Sequence, residues 1–78
     1  MKEKILKLVK ENVFELADKD IQSDSSLIST GLLESFDVIN LITVFENEFQ
    51  IEIKLEELDL EAFNTIDSME EMIRSYAS

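Results

Sequence analysis

The hydroxyl of Ser35 is the side chain best placed for chemistry, in the segment Gly31-Leu32-Leu33-Glu34-Ser35-Phe36-Asp37. Gly31 is the only glycine of the chain, and a long stretch with helical periodicity begins just after Ser35. The sequence therefore predicts that Ser35 stands at a helix N-terminus. Free backbone N–H groups and the helix dipole stabilise an anion there. A hydroxyl in that place is suited to carry a phosphate-linked group, although serine is also a preferred plain N-cap residue.

The chain lacks the groups that most enzymes use. It contains no histidine and no cysteine, which excludes Ser-His and Cys-His pairs, thiolate metal sites and disulfides. A single glycine cannot build a phosphate-binding loop. The pattern Asp18-x-Asp20-x-Gln22-x-Asp24 resembles the start of a calcium loop, but Ser23 replaces the required glycine and Ser29 the required glutamate. The sequence therefore predicts neither an enzyme nor a metal site.

The charge of the chain is strongly negative and unevenly distributed. The chain has seven basic and 18 acidic residues, which gives a net charge of -11. Four of the basic residues are Lys2, Lys4, Lys7 and Lys10, and none lies between residues 20 and 53. The negative potential around Ser35 repels nucleic acid and anionic membranes, and it steers proteins with basic patches toward this segment.

The length and hydropathy of the chain predict a single domain over residues 1–78. Its 78 residues suffice for one small core, and a hydrophobic content of 45% is normal for a globular protein. Lysines interrupt the first apolar residues, and no apolar run approaches transmembrane length. We therefore expect a cytoplasmic monomer that has neither a signal peptide nor a membrane insertion.

Helical periodicity predicts an all-α fold of three main helices and one short helix, with a long loop after the first helix. The main helices are expected over Lys2 to Leu16, over about Ser35 to Phe49, and from near Ser68. Ser68-x-x-Glu71 has capping-box form there, and Asp67-x-x-Glu70 is nearly as good. The short helix is expected over Leu55 to Leu60. Three residues without a pairing partner make a strand at Ile51-Glu52-Ile53 improbable.

The apolar residues indicate which faces are buried. The long loop, Ala17 to Thr30, is expected to be pinned by Ile21, Leu27 and Ile28. In the second helix, the expected buried face consists of Val38, Leu41, Ile42, Phe45 and Phe49, widened by Ile39. Phe36 instead shares its helical face with Asn40, Thr43 and Asn47. We therefore expect Phe36 to be partly exposed, where an aromatic ring can anchor a partner.

Residues 31–37 resemble the attachment segment of the acyl carrier protein superfamily, which includes the peptidyl carrier domains and the D-alanyl carrier proteins. The usual motif reads Asp-Ser-Leu, where this chain has Glu34-Ser35-Phe36. The stretch Leu41-Ile42-x-x-Phe45-Glu46-x-Glu48-Phe49 followed by Ile51-x-Ile53 is similar to the family's second helix and its exit. The stretch Phe63-x-Thr65-Ile66-x-Ser68-Met69 is similar to the entry into its last helix. The resemblance covers nearly the whole chain.

This resemblance implies a carrier protein with a 4'-phosphopantetheine arm on Ser35. A phosphopantetheinyl transferase attaches the arm from coenzyme A with a magnesium ion, and the arm then holds an acyl or aminoacyl group as a thioester. Partner enzymes with basic patches load and use that cargo, so the chain itself needs no catalytic groups. Fatty acid, polyketide and nonribosomal peptide biosynthesis and D-alanine transfer all remain open. The alternative is an acidic helical adaptor that binds a basic protein and is never modified.

The resemblance also assigns roles to residues around Ser35. The expected partner-binding residues are Glu34, Phe36, Asp37, Glu46 and Glu48. Glu34 and Phe36 depart from the usual motif, and the sequence leaves open how these departures affect modification by a transferase. In fatty-acid members of the family, helices of this kind part to admit an acyl chain. The residues that would line such a cavity, and that are otherwise core, are Ile39, Ile42, Phe45, Leu58, Ile66 and Met69.

Overall fold

A computed structural model describes residues 1–77, apart from the side chain of Leu55. Its three α-helices are α1 (Lys2–Asn12), α2 (Ser35–Phe49) and α3 (Ile66–Ala77). Three short 3-10 helices cover Phe14–Leu16, Leu55–Glu57 and Leu60–Phe63. Residues 1–77 contain no β-strand, so the predicted all-α class, with a long loop between the first two main helices, is confirmed.

The first and the short helix differ from their predicted bounds. The α-helix ends at Asn12, because Val13 has extended backbone angles (φ -117°, ψ 102°), and the chain then makes one 3-10 turn. This break buries Val13 and Leu16 while Phe14 points into solvent, 92% exposed. The single short helix expected over Leu55 to Leu60 is instead two 3-10 helices, Leu55–Glu57 and Leu60–Phe63.

The start of α3 lies two residues before the predicted one. Thr65 Oγ1 accepts a hydrogen bond from the Ser68 N–H at 3.0 Å, and Ser68 Oγ accepts one from the Thr65 N–H at 3.2 Å. Ser68 Oγ also lies 2.8 Å from the carbonyl oxygen of Ala62. The reciprocal cap therefore joins Thr65 and Ser68, and the predicted capping box at Ser68-x-x-Glu71 is wrong.

The core is a single apolar cluster to which the three α-helices and the 3-10 helices Phe14–Leu16 and Leu60–Phe63 contribute. Phe45 of α2 stacks on Phe63 with ring centroids 6.1 Å apart and meets Phe49 edge-on at 6.0 Å. Phe45 and Phe63 are fully buried, and burial of one such side chain stabilises the fold by about 1.5–3 kcal/mol. Ile21 and Leu27 are buried as well, so the long loop is packed against the helices as expected.

Ile39 does not belong to this core, and the expectation that it is buried is wrong. Its side chain is 58% exposed, whereas Val38, Leu41, Ile42 and Phe45 form the buried stripe of α2. Successive residues of an α-helix are rotated by about 100°, which turns Ile39 away from the centre of that stripe.

Two lysines of α1 connect it to the other helices. Lys2 Nζ lies 2.8 Å from Asp67 Oδ1 at the start of α3, and Lys4 Nζ lies 3.2 Å from Glu48 Oε1 of α2. Asp67 Oδ1 is buried, and within residues 1–77 Lys2 Nζ is its only polar contact. None of the helices in this part of the chain is long and apolar enough to cross a membrane.

Candidate functional site

Ser35 is the first residue of α2, and Glu34 before it occupies the N-cap position with extended backbone angles. The interpretation of Ser35 as the plain N-cap is therefore wrong. Its side chain is exposed, and within residues 1–77 its hydroxyl makes no hydrogen bond. The hydroxyl is thus accessible to an enzyme and has no structural bond to give up.

Asp37 fixes the backbone on the N-terminal side of this serine. Its Oδ2 accepts a hydrogen bond from the Glu34 N–H at 3.1 Å, while the Glu34 carbonyl accepts the first intrahelical bond from Val38 at 3.0 Å. Asp37 is partly buried and the Glu34 side chain is exposed. Two carboxylates therefore flank the hydroxyl of Ser35, and both take part in the capping box at the start of α2, in which each side chain accepts from the backbone N–H of the other residue.

The end of the long loop is held by Asn64, between the last 3-10 helix and α3. The Leu27 N–H donates to the Asn64 backbone oxygen at 2.7 Å. The Ile28 and Ser29 N–H groups both donate to Asn64 Oδ1, at 2.9 and 3.3 Å. One residue near α3 therefore binds three consecutive amides of the loop that leads to Ser35.

The same loop closes on itself before α2 begins. The Leu33 N–H donates to the Leu27 carbonyl at 2.9 Å, and both side chains are buried. The turn within it places Gly31 at φ 79°, a left-handed angle that favours glycine, and its N–H bonds to Ile28 O at 3.0 Å. Ser35 follows Leu33 by two residues, so this closed loop determines where α2 starts.

An apolar surface lies beside the hydroxyl. Phe36 is 79% exposed and Ile39 is 58% exposed. They are three residues apart on α2, which places their side chains next to each other on one helical face. The predicted exposure of Phe36 is confirmed, and Ile39 joins it there.

Glu46 and Glu48 lie far from this end of α2. Glu46 follows Ser35 by eleven residues, about 16 Å along a helix axis. Its partly buried carboxylate accepts a hydrogen bond from the Ile53 N–H at 2.9 Å, and Glu48 pairs with Lys4. Of the five residues expected to bind partners, Glu34, Phe36 and Asp37 adjoin Ser35, whereas Glu46 and Glu48 have bonds within the protein.

The residues expected to line an acyl-chain cavity do not share one opening. Phe45 and Met69 are fully buried, Ile66 and Ile42 nearly so. The partly buried Leu58 lines an open cleft of about 440 Å³, and Ile66 lines a different one of about 250 Å³. Together with the exposed Ile39, this arrangement is that of core residues, and admission of a chain stays a prediction.

Asn64 is the residue near the site that the sequence analysis missed. It occupies the position left open between Phe63 and Thr65 in the family-like segment. Asparagine in a connection commonly bonds nearby backbone groups, which is a signal for such a role. Its partner Ile28 is 36 positions away, and no local pattern gives that pairing.

The helical bundle and the exposed serine at the start of α2 agree with the carrier-protein fold that the sequence resemblance implies. The sequence model of the family described as phosphopantetheine attachment site matches residues 3–73. The chain belongs to this family, whose members carry a 4'-phosphopantetheine group, and the predicted superfamily is confirmed. A comparison with curated proteins gave no significant match.

Membership in this family defines the protein in general terms. Carrier domains of the family are generally not enzymes themselves, and they interact with transferases and with enzymes that handle acyl groups. The exposed hydroxyl of Ser35, which makes no hydrogen bond within residues 1–77, stands at the first position of α2 and fits the group, because a helix N-terminus stabilises a phosphate.

Proposed function

We propose that Ser35 Oγ carries the phosphopantetheine group and that the protein presents an acyl or aminoacyl cargo to partner enzymes. The observation that supports this most directly is the exposed hydroxyl without a hydrogen-bond partner in residues 1–77, at the first residue of α2. It coincides with the segment that resembles the family's attachment motif. When bound, the group supplies a thiol that holds the cargo as a thioester.

The covalent step on Ser35 is a phosphoryl transfer from coenzyme A. A bond forms between Ser35 Oγ and the phosphorus that bears pantetheine, and the bond from that phosphorus to the nucleotide half of coenzyme A breaks. The hydroxyl proton passes to a base of the transferase or to water. The N-terminus of α2 then stabilises the negative phosphodiester through its free N–H groups and dipole.

Docking of the transferase uses both kinds of residue beside Ser35. The carboxylates of Glu34 and Asp37 attract a basic surface and raise the rate of encounter. The exposed side chains of Phe36 and Ile39 then offer apolar area that a partner can bury at the centre of the contact. Glu46 and Glu48 extend the acidic surface at the far end of α2, where they act at longer range.

Intact-mass measurement tests the attachment directly. The protein is incubated with coenzyme A, magnesium and a transferase of broad specificity, and a gain of one phosphopantetheine is expected. Ser35→Ala should abolish the gain, whereas Ser29→Ala should retain it, because Ser29 is also exposed but bonds to Asn64 only through its backbone. A gain that persists in Ser35→Ala excludes this serine.

The same experiment separates the carrier from an unmodified adaptor. No mass gain with several transferases would favour an acidic bundle that only binds a basic protein. For a modified protein, mass spectrometry of material from the native host identifies the cargo, because an acyl and an aminoacyl thioester differ in mass and in elemental composition.

A further inference from the structure

Asn64 makes two kinds of contact with the loop before Ser35, through its backbone and through its side chain. Its backbone oxygen binds the Leu27 N–H, and Oδ1 binds both the Ile28 and Ser29 N–H groups. A carbonyl oxygen has two lone pairs, so Oδ1 is saturated by these two donors. A change of the side chain alone removes two of the three bonds.

The backbone of Asn64 is anchored independently of its side chain. The preceding Phe63 is fully buried, and Ile66, two residues further on, is 1% exposed. The Asn64 N–H also bonds to the Glu61 carbonyl at 3.1 Å. Loss of the amide group therefore leaves residue 64 and its backbone bond to Leu27 in place, and it frees the Ile28 and Ser29 N–H groups.

The loop transmits the constraint to the serine through bonded backbone. Ile28 accepts from Gly31, and Leu27 accepts from Leu33 at 2.9 Å. Residues 27–33 thus form one closed unit that is attached to Asn64 at its beginning and runs into α2 at its end. The buried side chains of Leu27 and Leu33 hold the two ends of this unit, so a displacement of its Ile28–Ser29 segment would reach Glu34 and Ser35 through the bonded turn.

We propose that Asn64 is a positioning residue for the modification of Ser35. Its Oδ1 holds the loop in the single orientation that presents the hydroxyl, and Asn64 itself does not touch the reacting atoms. This inference rests on the proposed function. Without Oδ1, the Ile28–Ser29 segment of the loop samples further conformations, and the apparent affinity for the transferase falls in proportion to the fraction that is competent.

The test compares Asn64→Ala and Asn64→Asp with wild type. Loss of two hydrogen bonds should speed amide exchange at Ile28 and Ser29 in the unmodified protein and raise the transferase KM by about tenfold, with kcat within about twofold. Asn64→Asp should keep the amide exchange rates and the transferase KM at their wild-type values, because a carboxylate oxygen accepts the same two bonds.

A matched control separates positioning from general destabilisation. Asn12→Ala is the same chemical change and removes a side-chain bond to the Leu8 carbonyl at 2.8 Å in α1. It should leave both the KM and the exchange at Ile28 unchanged. If Asn64→Ala does not fold, Asn64→Gln, which displaces the oxygen by one methylene, takes its place with the same expected rise in KM.

The outcomes distinguish this inference from the proposed function. Wild-type protein that no transferase modifies refutes the proposed function, and the inference with it. A modified wild type with an unchanged KM in the Asn64 variants refutes the inference alone. The inference is also refuted if Asn12→Ala raises KM as much as Asn64→Ala does. A KM for Asn64→Asp as high as that of Asn64→Ala refutes it as well.

Discussion

Glu46 Oε2 accepts a hydrogen bond from the backbone N–H of Ile53 at 2.9 Å, across the turn that ends α2. The Glu46 backbone oxygen accepts a second bond from the Ile51 N–H at 3.3 Å. Between them, Gln50 adopts left-handed backbone angles (φ 55°, ψ 50°) that reverse the chain. Glu46 thus supplies two acceptors to the turn that brings Ile53 into the core.

Substitution of Glu46 should therefore destabilise the fold. Glu46→Ala leaves a partly buried N–H without its acceptor and should lower the free energy of unfolding by about 1–3 kcal/mol in urea titrations. Glu46→Gln keeps an acceptor oxygen and should cost less. Glu48→Ala, which breaks only the exposed pair with Lys4, should cost below about 1 kcal/mol. Equal losses for the two alanine variants would contradict a structural role of Glu46.

Ser35→Ala should leave stability unchanged while it abolishes modification. The hydroxyl makes no hydrogen bond in residues 1–77, and an exposed substitution of this kind typically changes the free energy of unfolding by less than about 0.5 kcal/mol. Asp37→Ala removes the acceptor for the Glu34 N–H and should cost about 1 kcal/mol. Thermal and urea melts of the two variants provide the comparison. A destabilised Ser35→Ala would mean that this hydroxyl has a structural bond after all.

Phe36→Ser and Ile39→Ser should weaken docking of the transferase without weakening the fold. Removal of an apolar anchor from an interface typically costs more than about 1 kcal/mol, so each variant should raise KM about fivefold or more. Both side chains are mostly exposed, hence the melting temperature should change little. Leu60→Ser is the control, because Leu60 is 52% exposed on a 3-10 helix remote in sequence from Ser35. Equal effects at Leu60 would argue against a specific surface.

Gly31→Ala should cost about 1–2 kcal/mol through backbone strain alone. No atom lies within 4 Å of the place where a Cβ would stand, so the substitution causes no clash. The φ of 79°, however, is unfavourable for alanine by about 1–2 kcal/mol, and asparagine tolerates it better. Gly31→Asn should therefore lose less stability than Gly31→Ala in urea titrations. The reverse order would show that the turn relaxes to a negative φ.

The ion pair of Lys2 with Asp67 should make wild type more stable than Lys2→Met at neutral pH, and this difference in the free energy of unfolding should disappear at high pH. The hydrogen bond and the charge of Asp67 raise the pKa of Lys2 above its usual 10.5. The folded state therefore holds this proton more tightly than the unfolded state does. The stabilisation is complete below pH 10.5 and is lost as the pH rises through the folded pKa.

Urea titrations of wild type and Lys2→Met across this range measure that difference. The two proteins should differ in stability at neutral pH and converge above the pKa of Lys2. In an Asp67→Asn background the substitution at Lys2 should give no such convergence. A difference that persists at the highest pH would show that Lys2 acts through packing of its methylenes.

The architecture was predictable where one local signal dominates. The bounds of α2 agree with the expected Ser35 to Phe49 because the apolar stripe is long and a left-handed glycine turn precedes it. Local rules were ambiguous at the start of α3. The sequence pattern allows Ser68 to be the N-cap residue, with Glu71 three positions later, but the observed cap pairs Thr65 with Ser68. The choice of Thr65 depends on Ser68 Oγ, which also contacts Ala62 in the preceding 3-10 helix.

The sequence predicted which segment contains the site, but it did not predict the hydrogen bonds that fix the geometry of that segment. The position of Ser35 followed from the break at Gly31 and the periodicity behind it. The bonds of Glu46 to Ile53 and of Asn64 to Ile28 join a side chain to a distant amide, and many polar residues could have made either. Ile39 was misplaced because its apolar type suggests burial, while its angular position on the helix exposes it.

The bond between the Ile28 N–H and Asn64 Oδ1 spans 36 positions of the chain. During synthesis, the loop before Ser35 therefore lacks its acceptor until residue 64 has left the ribosomal exit tunnel. Ser35 is by then far outside the tunnel, yet its loop is not closed onto the later segment. If Ser35 is the attachment site, as proposed, we expect nascent chains that stop before Asn64 to be poorer transferase substrates than chains that contain it.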